Sequence, residues 1–512
     1  MAREMLQYRG SLKSCNYSCS YCPFAKRQED AAELAADKKD LLRFCKSVEE
    51  RQEPAPFSAV MIVPYGEALI HSYYWEGMAR LSCFDRVEAV GAQTNLSFPV
   101  SAMLRLYDSA GGNRRKLRLW ATFHPEMVSV SHFAAQCREL LGAGVRLSAG
   151  AVGVPENLEL IRGLRRELPA DVYLWINRMD GLNRRYTREE QAAFQEIDPY
   201  FSQELHWMKA DARQCGKRRF VEADGQTGPC NISRRTGGNW YDPNGHTAPP
   251  ECGRKLCTCY LAYGGRADFE NRKSFGRYPL FRIPWRPKAI FFDIDGTLVP
   301  DGWQQHDGIS REWAAYLRER SKDTLLFLAT SLPYESAVKK CGEVFSLFSG
   351  GFFASGAHIL LFGKEGRQEQ EFFCDLDDSW ISAVAGLTDR CRIYRYQHGD
   401  KLYKLTLAKP HRLCWSEEER SAISKLLPSD SVRCFVEGNC LQIVSINADK
   451  GRGVCHICEL LGIDSAETEA VGNSDEDLPM FRVCGYGIAA PGSGENVKAR
   501  ADLVMVSAPS EH

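Results

Sequence analysis

Short apolar runs alternate with amphipathic stretches along the first half of the chain. The runs predict six strands, at 5–10, 58–66, 87–95, 117–124, 145–153 and 172–179. Stretches with apolar residues at helical spacing lie between them, at 31–52, 130–144 and 155–168 among others. Alternating strands and helices predict a parallel sheet, and six or more such units fit an open or closed parallel barrel. Functional groups of such folds lie at the carboxyl ends of the strands.

A second pattern of strands and helices follows a stretch at 264–288 that is rich in Gly, Arg and Pro. AIFFDI and TLLFLATS predict buried strands of a doubly wound sheet, which resumes at AVGNSD. Between them, KLYKLTLA and NCLQIVSI indicate an α/β insertion at about 334–449. We therefore predict an N-terminal domain over 1–265, a linker over 266–287 and a C-terminal domain over 288–512.

Composition and charge narrow the class of protein. The 512 residues are 44% hydrophobic and 26% charged, as in globular proteins, and the formal net charge is -1. Nothing in this balance indicates a nucleic-acid or membrane partner. The first residues form no apolar signal segment, and no run reaches the roughly 18 apolar residues of a membrane span. We expect a cytoplasmic protein that acts on small molecules.

Three of the 20 cysteines are closely spaced, as Cys15-x3-Cys19-x2-Cys22. They follow the first predicted strand directly, which would place them at the mouth of a barrel. Soft thiolate ligands favour iron–sulfur clusters, and three ligands leave one iron open for a small molecule. A zinc knuckle or an accidental grouping are the alternatives.

This spacing, with Tyr21 before the last cysteine, resembles the signature of the radical S-adenosylmethionine (SAM) superfamily. The resemblance extends over most of residues 1–265. It implies a partial parallel (β/α) barrel of radical SAM type, with a [4Fe–4S] cluster on Cys15, Cys19 and Cys22 and SAM on the open iron. Reductive cleavage of SAM would start radical chemistry on an unknown substrate, with electrons from a reductant such as flavodoxin or ferredoxin.

The segment PYGEAL, at the end of the second predicted strand, stands where that family carries a Gly-Gly-Glu-like motif. The resemblance implies that Gly66 lets the backbone approach SAM and that Glu67 pairs with its ammonium group. Tyr65 replaces the first glycine, and a solvated glutamate in a turn is the alternative. Further polar candidates for the pocket end the next two strands, namely Asn95, Thr122 and His124.

A second group of cysteines follows the predicted barrel. Its members are Cys230, Cys252, Cys257 and Cys259, and Cys215 could replace one of them. Four cysteines there resemble the auxiliary cluster extensions of several radical SAM families. An auxiliary [4Fe–4S] cluster, a structural zinc ion and no metal at all stay open as alternatives.

The second half contains FFDIDGTLVP, in which two aspartates two residues apart follow a buried strand. This motif resembles the DxDGT signature of the haloacid dehalogenase (HAD) superfamily of phosphatases. The resemblance implies that Asp293 is the nucleophile and forms an aspartyl-phosphate, while Asp295 is the general acid and base. It also implies that Mg²⁺ is held by Asp293 and the backbone carbonyl of Asp295.

The other motifs of that superfamily follow in order. The resemblance assigns the hydroxyl of Thr330 to the phosphate, Lys450 to the transferring phosphoryl group and Asp477 to the acidic metal motif. Asn473 stands where relatives usually carry a metal-ligating aspartate, and its amide brings no charge. The insertion resembles the α/β cap of Cof-like members, on a Rossmann-like core.

These patterns together predict a bifunctional enzyme, a radical SAM domain followed by a Mg²⁺-dependent phosphatase. The main alternative keeps the radical SAM enzyme and makes the HAD-like half a non-catalytic binding or regulatory module, which Asn473 favours. A redox-sensing cluster protein without SAM turnover is a third possibility. Glu67 argues against this third interpretation.

Overall fold

The computed structural model describes residues 4–24, 28–51, 57–205, 208–209, 218–233, 238–242, 256–257, 275–300, 308–362, 368–373, 376–377, 384, 391–410 and 413–509. The chain forms two compact units, Ala2–Trp285 and Arg286–His512. In the described part of the chain, no helix has the length and apolar character needed to cross a membrane.

The first unit is built on one large, mostly parallel sheet. Its strands are β1 (Glu4–Arg9), β2 (Phe57–Ile62), β3 (Ala89–Thr94), β4 (Leu117–Phe123), β5 (Arg146–Gly153), β6 (Leu174–Arg178), β8 (Arg218–Glu222) and β9 (Thr227–Gly228). Their order is β6-β5-β4-β3-β2-β1-β8-β9, and β9, antiparallel to β8, is the exception to parallel pairing. Two short strands, β7 (Met208–Lys209) and β10 (Leu256–Cys257), form a separate antiparallel pair. The predicted α/β class is confirmed, with an open strand order among the described residues.

Helices connect the parallel strands of this sheet. They are α1 (Ala31–Glu49), α2 (Ser72–Ser82), α3 (Val100–Ser109), α4 (Val130–Gly142), α5 (Leu158–Glu167), α6 (Arg188–Ile197) and α7 (Phe201–Glu204). A capping box between Asp30 and Glu33 fixes the start of α1. The apolar sides of these helices and one face of the sheet form a continuous buried core, in which Leu41 and Phe44 of α1 are fully buried.

The other face of the sheet is covered by residues 275–285. Leu280 and Phe281 are buried there against Trp120, Trp175 and strand residues. The Ser148 hydroxyl donates a hydrogen bond to the carbonyl oxygen of Phe281 over 2.7 Å. The linker predicted for 266–287 therefore needs correction, because 275–285 belong to the first unit. The Gly, Arg and Pro residues at 264–288 favoured a linker, but 275–285 also contain the apolar anchors Leu280 and Phe281.

The second unit contains a larger core sheet. Its strands are β11 (Ala289–Phe292), β12 (Leu325–Ala329), β13 (Gly350–Phe353), β14 (His358–Phe362), β15 (Gln368–Phe372), β20 (Thr468–Gly472), β21 (Tyr486–Ala489) and β22 (Leu503–Val504). Their order is β15-β14-β13-β12-β11-β20-β21-β22, parallel from β13 to β22. Helices of this core are α8 (Arg311–Arg320), α9 (Tyr334–Cys341), α11 (Lys450–Leu461), α12 (Leu478–Val483) and α13 (Glu495–Arg500). The predicted Rossmann-like core is confirmed.

A smaller antiparallel sheet forms the cap. It has the order β16 (Arg392–His398), β17 (Lys401–Ala408), β19 (Cys440–Ser445) and β18 (Val432–Glu437), with helix α10 (Glu417–Leu426). The predicted start of the insertion at 334 is too early, because α9 and β13 to β15 belong to the core, in which β13 pairs with β12. The apolar runs of β13 and β14 resemble cap strands in sequence, and only pairing assigns them to the core sheet.

Asp37 of α1 links the loop after β1 to α1 and to α2. It is buried, and its Oδ1 accepts a hydrogen bond from the backbone N–H of Leu12 over 2.9 Å. Its Oδ2 accepts from the hydroxyls of Tyr73 and Tyr74 over 2.9 and 2.7 Å. A buried carboxylate with this set of donors fixes the position at which the cysteine loop leaves the sheet.

We expect Asp37→Ala to lower the free energy of unfolding of the first unit by about 2–4 kcal/mol, since several buried donors lose their acceptor. Urea unfolding of the full chain measures the shift. The matched control is Lys38→Ala, because Lys38 is the exposed neighbour on the same helix. Equal stability of the two variants would contradict the proposed anchoring role.

Candidate functional site

The first unit has a cavity at the carboxyl ends of its parallel strands. Its lining includes the sulfur-bearing side chains of Cys15, Cys19 and Cys22 and the residues Glu67 and Asn95. These positions follow β1, β2 and β3, which are neighbours in the sheet. The structure thus brings together the residues that the sequence assigned to one pocket, and Gly66, Thr122 and His124 also line it.

The cysteine loop is tied to the loops after β3 and β4. Glu126 accepts hydrogen bonds from the backbone N–H and the hydroxyl of Ser20, over 2.7 and 2.5 Å. Asn95 donates to the side-chain oxygen of Asn16 over 3.1 Å. These contacts, made by residues without a recognisable motif, hold the loop at the mouth of the cavity.

The three cysteines do not form a closed ligand set in this structure. Across the described ranges, no group of three or more His, Cys, Asp or Glu side chains is arranged to hold a metal ion. Burial raises the pKa of the Cys19 thiol to about 11, and the neighbouring Cys22 adds to the rise. Cluster ligands must be thiolates, so metal binding would have to be coupled to proton release and to closure of the loop. Cysteine thiolates are suitable ligands for an iron–sulfur cluster. The side chains of Cys15, Cys19 and Cys22 would have to rearrange in order to bind one.

Gly66 is required by the cysteine loop itself. A Cβ atom at this position would lie 1.6 Å from the carbonyl oxygen of Ser14, and the N–H of Glu67 donates to the same oxygen over 3.0 Å. The family resemblance implied that Gly66 makes close contact with SAM. In the structure the close contact is with the backbone before Cys15.

Glu67 joins the ends of β2 and β3. Its carboxylate accepts hydrogen bonds from the N–H of Leu69, the hydroxyl of Thr94 and the N–H of Asn95, over 3.0, 2.8 and 2.6 Å. Burial raises its pKa to about 7, although these three hydrogen bonds oppose the rise. Glu67 is therefore a buried residue that holds the cavity wall together through its hydrogen bonds. It is not a solvated glutamate in a turn.

Beside the loop, His124 stacks near Tyr21 and lies 3.1 Å from its hydroxyl through Nδ1. Burial lowers the pKa of His124 to about 4, so the ring is neutral at neutral pH.

Of the second cysteine group, Cys230 is half-buried in a turn beside Ser233, and Cys257 lies in β10. Outside the described residues are the other candidates, Cys215, Cys252 and Cys259.

In the second unit, four predicted residues meet at the carboxyl edge of the core sheet. Asp293, Thr330 and Asn473 follow the adjacent strands β11, β12 and β20. Lys450 is the first residue of α11 and is buried. The parallel order β12-β11-β20 explains why residues far apart in sequence converge here.

Lys450 lies between two carboxylates. Its Nζ is 2.8 Å from Oδ1 of Asp293 and 2.6 Å from Oδ1 of Asp477. Although burial lowers the pKa of Lys450, the two carboxylates raise it above its usual value, so the ammonium persists. Burial raises the pKa of Asp293, and Lys450 partly offsets this effect. With both carboxylates ionised, the buried group would carry one excess negative charge, which a bound cation could neutralise.

Asp477 positions other site residues. Its Oδ2 accepts hydrogen bonds from the N–H groups of Asn473 and Ser474, over 2.8 and 2.9 Å. Because its Oδ1 binds Lys450, both oxygens have partners within the protein. The family resemblance implied that Asp477 is a Mg²⁺ ligand, whereas in the structure Asp477 holds Lys450 and the loop that carries Asn473.

Asn473 faces the DxDGT turn at close range. In the orientation that satisfies its neighbours, its amide nitrogen lies 3.1 Å from Oδ2 of Asp293 and 2.9 Å from the carbonyl oxygen of Asp295. Gly296, with a φ of 76°, allows this approach, since a Cβ there would lie 2.1 Å from the amide. Rotation of the amide by half a turn presents its oxygen at the same point. The resulting set of three oxygens fits Mg²⁺, but with one formal charge fewer than an aspartate would supply.

Several contacts in this site have no motif in the sequence. The Thr297 hydroxyl is 3.3 Å from Oδ2 of Asp293, and Lys340 of α9 forms an ion pair with Asp295. Asp475 accepts a hydrogen bond from Asn496 over 2.6 Å. No motif marks Lys340, because its contact with Asp295 arises from the folding of α9 over the turn.

Comparison with known proteins agrees with this geometry. The model of the haloacid dehalogenase-like hydrolase family matches residues 395–511, within the second unit. A phosphoglycolate phosphatase from Archaeoglobus fulgidus is 38% identical over 233 residues, covering 44% of this chain and 94% of that protein. The chain belongs to the haloacid dehalogenase-like hydrolases. The prediction made for the C-terminal domain from its motifs is confirmed at this level.

Other relatives of this haloacid dehalogenase-like hydrolase include a phosphoglycolate phosphatase from Methanosarcina mazei. It is 34% identical over 221 residues, which cover 42% of this chain and 89% of that protein. A haloacid dehalogenase-like hydrolase of known structure, from Bacteroides thetaiotaomicron, aligns with a TM-score of 0.36 and 19% identity, covering 43% of this chain and 94% of that chain. The family match does not reach the first unit, whose radical SAM assignment stays a prediction.

We expect Asn473→Asp to raise the affinity of the site for Mg²⁺ by on the order of tenfold, because a carboxylate adds charge to the oxygen set. Without metal, the extra negative charge beside Asp293 and Asp477 lowers stability. Isothermal titration calorimetry and the rise in Tm with added Mg²⁺ measure both effects.

Asp475→Asn is the matched control for this substitution, since its carboxylate binds Asn496. We expect the control to leave Mg²⁺ affinity unchanged. If Asn473→Asp and wild type bind Mg²⁺ equally, then Asn473 does not contact the metal.

Proposed function

We propose that the second unit hydrolyses phosphate monoesters of small molecules, with Asp293 as the nucleophile. The observation that carries this proposal is the buried contact of Asp293 with Lys450, at the sheet edge shared with Thr330 and Asn473. Relatives named phosphoglycolate phosphatases support it. The intact set of polar groups argues against the purely regulatory module.

The residues of this site divide the reaction between them. Asp293 attacks phosphorus, the bond from phosphorus to the alcohol oxygen breaks, and Asp295 gives the leaving oxygen a proton. Asp295 then takes a proton from water, which attacks the aspartyl-phosphate and releases inorganic phosphate and free Asp293. Lys450 holds Asp293 in place and stabilises the charge on the phosphoryl group.

Two conditions follow for this reaction. Asp293, the carbonyl of Asp295 and the amide oxygen of Asn473 would hold Mg²⁺, which supplies neutralising charge to the phosphoryl oxygens when bound. Asp295 must also separate from Lys340 in order to carry a proton, because their ion pair occupies the carboxylate. Movement of the partly exposed Lys340 side chain away from Asp295 would then be part of the catalytic cycle.

We expect the full chain to hydrolyse p-nitrophenyl phosphate in the presence of Mg²⁺, and Asp293→Asn to lower kcat by about 1000-fold or more, because the nucleophile is lost. Release of p-nitrophenol and of inorganic phosphate measures the reaction. Asp323→Asn, at an exposed position before β12, is the control and keeps wild-type activity. Absence of hydrolysis by wild type, or equal rates for Asp293→Asn, would favour the non-catalytic module.

We also propose a second activity, reductive cleavage of SAM in the cavity of the first unit. Its support is the placement of Cys15, Cys19 and Cys22 in one cavity with Glu67 and Asn95, at the carboxyl edge of a parallel sheet. A [4Fe–4S] cluster on these thiolates would supply the electron for that cleavage, taken from a reductant such as flavodoxin or ferredoxin. The cavity walls would position the substrate and exclude water.

Anaerobic reconstitution with iron and sulfide tests this second activity. We expect wild type to bind about four iron atoms or more per chain and to form 5′-deoxyadenosine from SAM under dithionite. The Cys15/Cys19/Cys22→Ala triple variant should form none. Cys83→Ala, at an exposed cysteine away from the loop, is the control and should behave as wild type.

The outcomes of this experiment are distinct. Iron that remains in the triple variant would indicate an auxiliary cluster at the second cysteine group. Wild type that binds zinc or no metal, or that forms no 5′-deoxyadenosine, would overturn the radical SAM assignment and leave the phosphatase proposal intact.

A further inference from the structure

One face of the cap sheet carries several polar side chains beside the apolar Val444, and much of this face is buried. Register places Tyr396, Lys404 and Arg433 in one row, because Lys404 pairs with Tyr396 and with Val444, and Val444 pairs with Arg433. Thr406 and Gln442 form the next row and share a hydrogen bond of 2.6 Å. We call these five residues the polar face.

The opposite face of the same sheet is apolar. Its side chains, Leu405, Leu407, Leu441 and Ile443, are buried with Ile423 of α10. The apolar face therefore stabilises the cap, and α10 covers it. The polar face also contributes to stability, because Val444 shares the row of Lys404 and packs with Ala354 and Ala357. The buried charge of Lys404 on this face therefore requires another explanation.

The polar face lies against the catalytic edge of the core. Lys404 donates a hydrogen bond to the carbonyl oxygen of Ser331, the residue that follows Thr330. Arg433 donates to the carbonyl oxygen of Ala448 over 2.8 Å and forms an ion pair of 3.0 Å with Glu476. Both cations thus contact the segments that carry Thr330, Lys450 and the acidic motif.

Lys404 has an incomplete set of partners. It is 2% exposed, and the structure records no ion pair for it within the part of the chain it describes. An ammonium group has three donors; the carbonyl of Ser331 accepts one hydrogen bond, and the centre of the Tyr396 ring lies 5.9 Å from Nζ. Burial lowers the pKa of Lys404 to about 8; Glu437 opposes this, whereas Lys450 and Arg433 add to it. A buried cation without a carboxylate is unfavourable unless an anion binds beside it.

We propose that Lys404 determines specificity by binding a carboxylate of the substrate, so that the enzyme prefers phosphate monoesters of short hydroxy acids. This inference rests on the proposed phosphatase function. Because Lys404 contacts the residue after Thr330, its ammonium lies close to the expected phosphate site. The two anionic groups of the substrate must then be separated by a short carbon chain.

A pair of substrates that differ in the carboxylate tests this inference. We compare kcat/KM of the full chain for 2-phosphoglycolate and for 2-hydroxyethyl phosphate, in which a hydroxymethyl group replaces the carboxylate. Wild type should prefer 2-phosphoglycolate. Lys404→Met should lower kcat/KM for 2-phosphoglycolate by about 10- to 100-fold, the range for a lost hydrogen bond to a charged group. It should leave 2-hydroxyethyl phosphate within about threefold, and Lys404→Arg should retain part of the preference.

Lys401→Met is the matched control. Lys401 lies on the same strand, β17, and is exposed, so this variant should keep the preference of wild type. A loss of equal size for both substrates after Lys404→Met would overturn the inference and indicate a general role in folding or catalysis. A wild type without preference would also overturn it, while the phosphatase function would stand.

A binding measurement separates this inference from failure of the phosphatase proposal. In the Asp293→Asn background, calorimetric titration with 2-phosphoglycolate should show binding that Lys404→Met weakens by about 10- to 100-fold. If wild type hydrolyses no phosphate ester yet this difference in binding persists, the phosphatase proposal fails and Lys404 remains an anion-binding residue. If binding is the same with and without Lys404, the inference fails.

Discussion

Parallel pairing of neighbouring strands is the constraint on which both units depend. Parallel strands end at the same edge, so the residue after each strand is placed beside the residues after its neighbours. In the second unit this brings Asp293, Thr330 and Asn473 together from β11, β12 and β20. In the first unit it places the cysteine loop beside Glu67 and Asn95. The chemistry of each site is therefore a consequence of strand order.

The buried charges of the second unit depend on one another. Lys450 compensates Asp293 and Asp477, and Asp477 in turn fixes the loop that presents Asn473. Removing one member would leave a buried charge without its partner, which is far more unfavourable than losing an exposed ion pair. The neutral Asn473 avoids a third carboxylate beside Asp293 and Asp477, which share the single ammonium of Lys450. The same balance explains why a cation fits there.

The cap contributes two positively charged side chains near the catalytic edge of the core. Lys404 and Arg433 lie on one face of an antiparallel sheet whose other face supplies the hydrophobic stabilisation. The face of Lys404 combines apolar packing through Val444 with charged groups, so only part of it is needed for stability. The cap can thus alter specificity without altering its own core. The residues of the core site, which carry the chemistry, would stay unchanged.

The sequence by itself determined the element types, the α/β class and the motif residues, because strand and helix periodicity and residues adjacent in the chain carry that information. It also indicated Asp293, Lys450 and the closely spaced cysteines. Tertiary structure decided which strands join the core sheet, that Gly66 serves the backbone at Ser14, and that Asp477 holds Lys450. It also decided the contacts of Lys340 and Lys404. These contacts join residues far apart in the chain, so their geometry depends on strand order and helix packing, which no local pattern encodes.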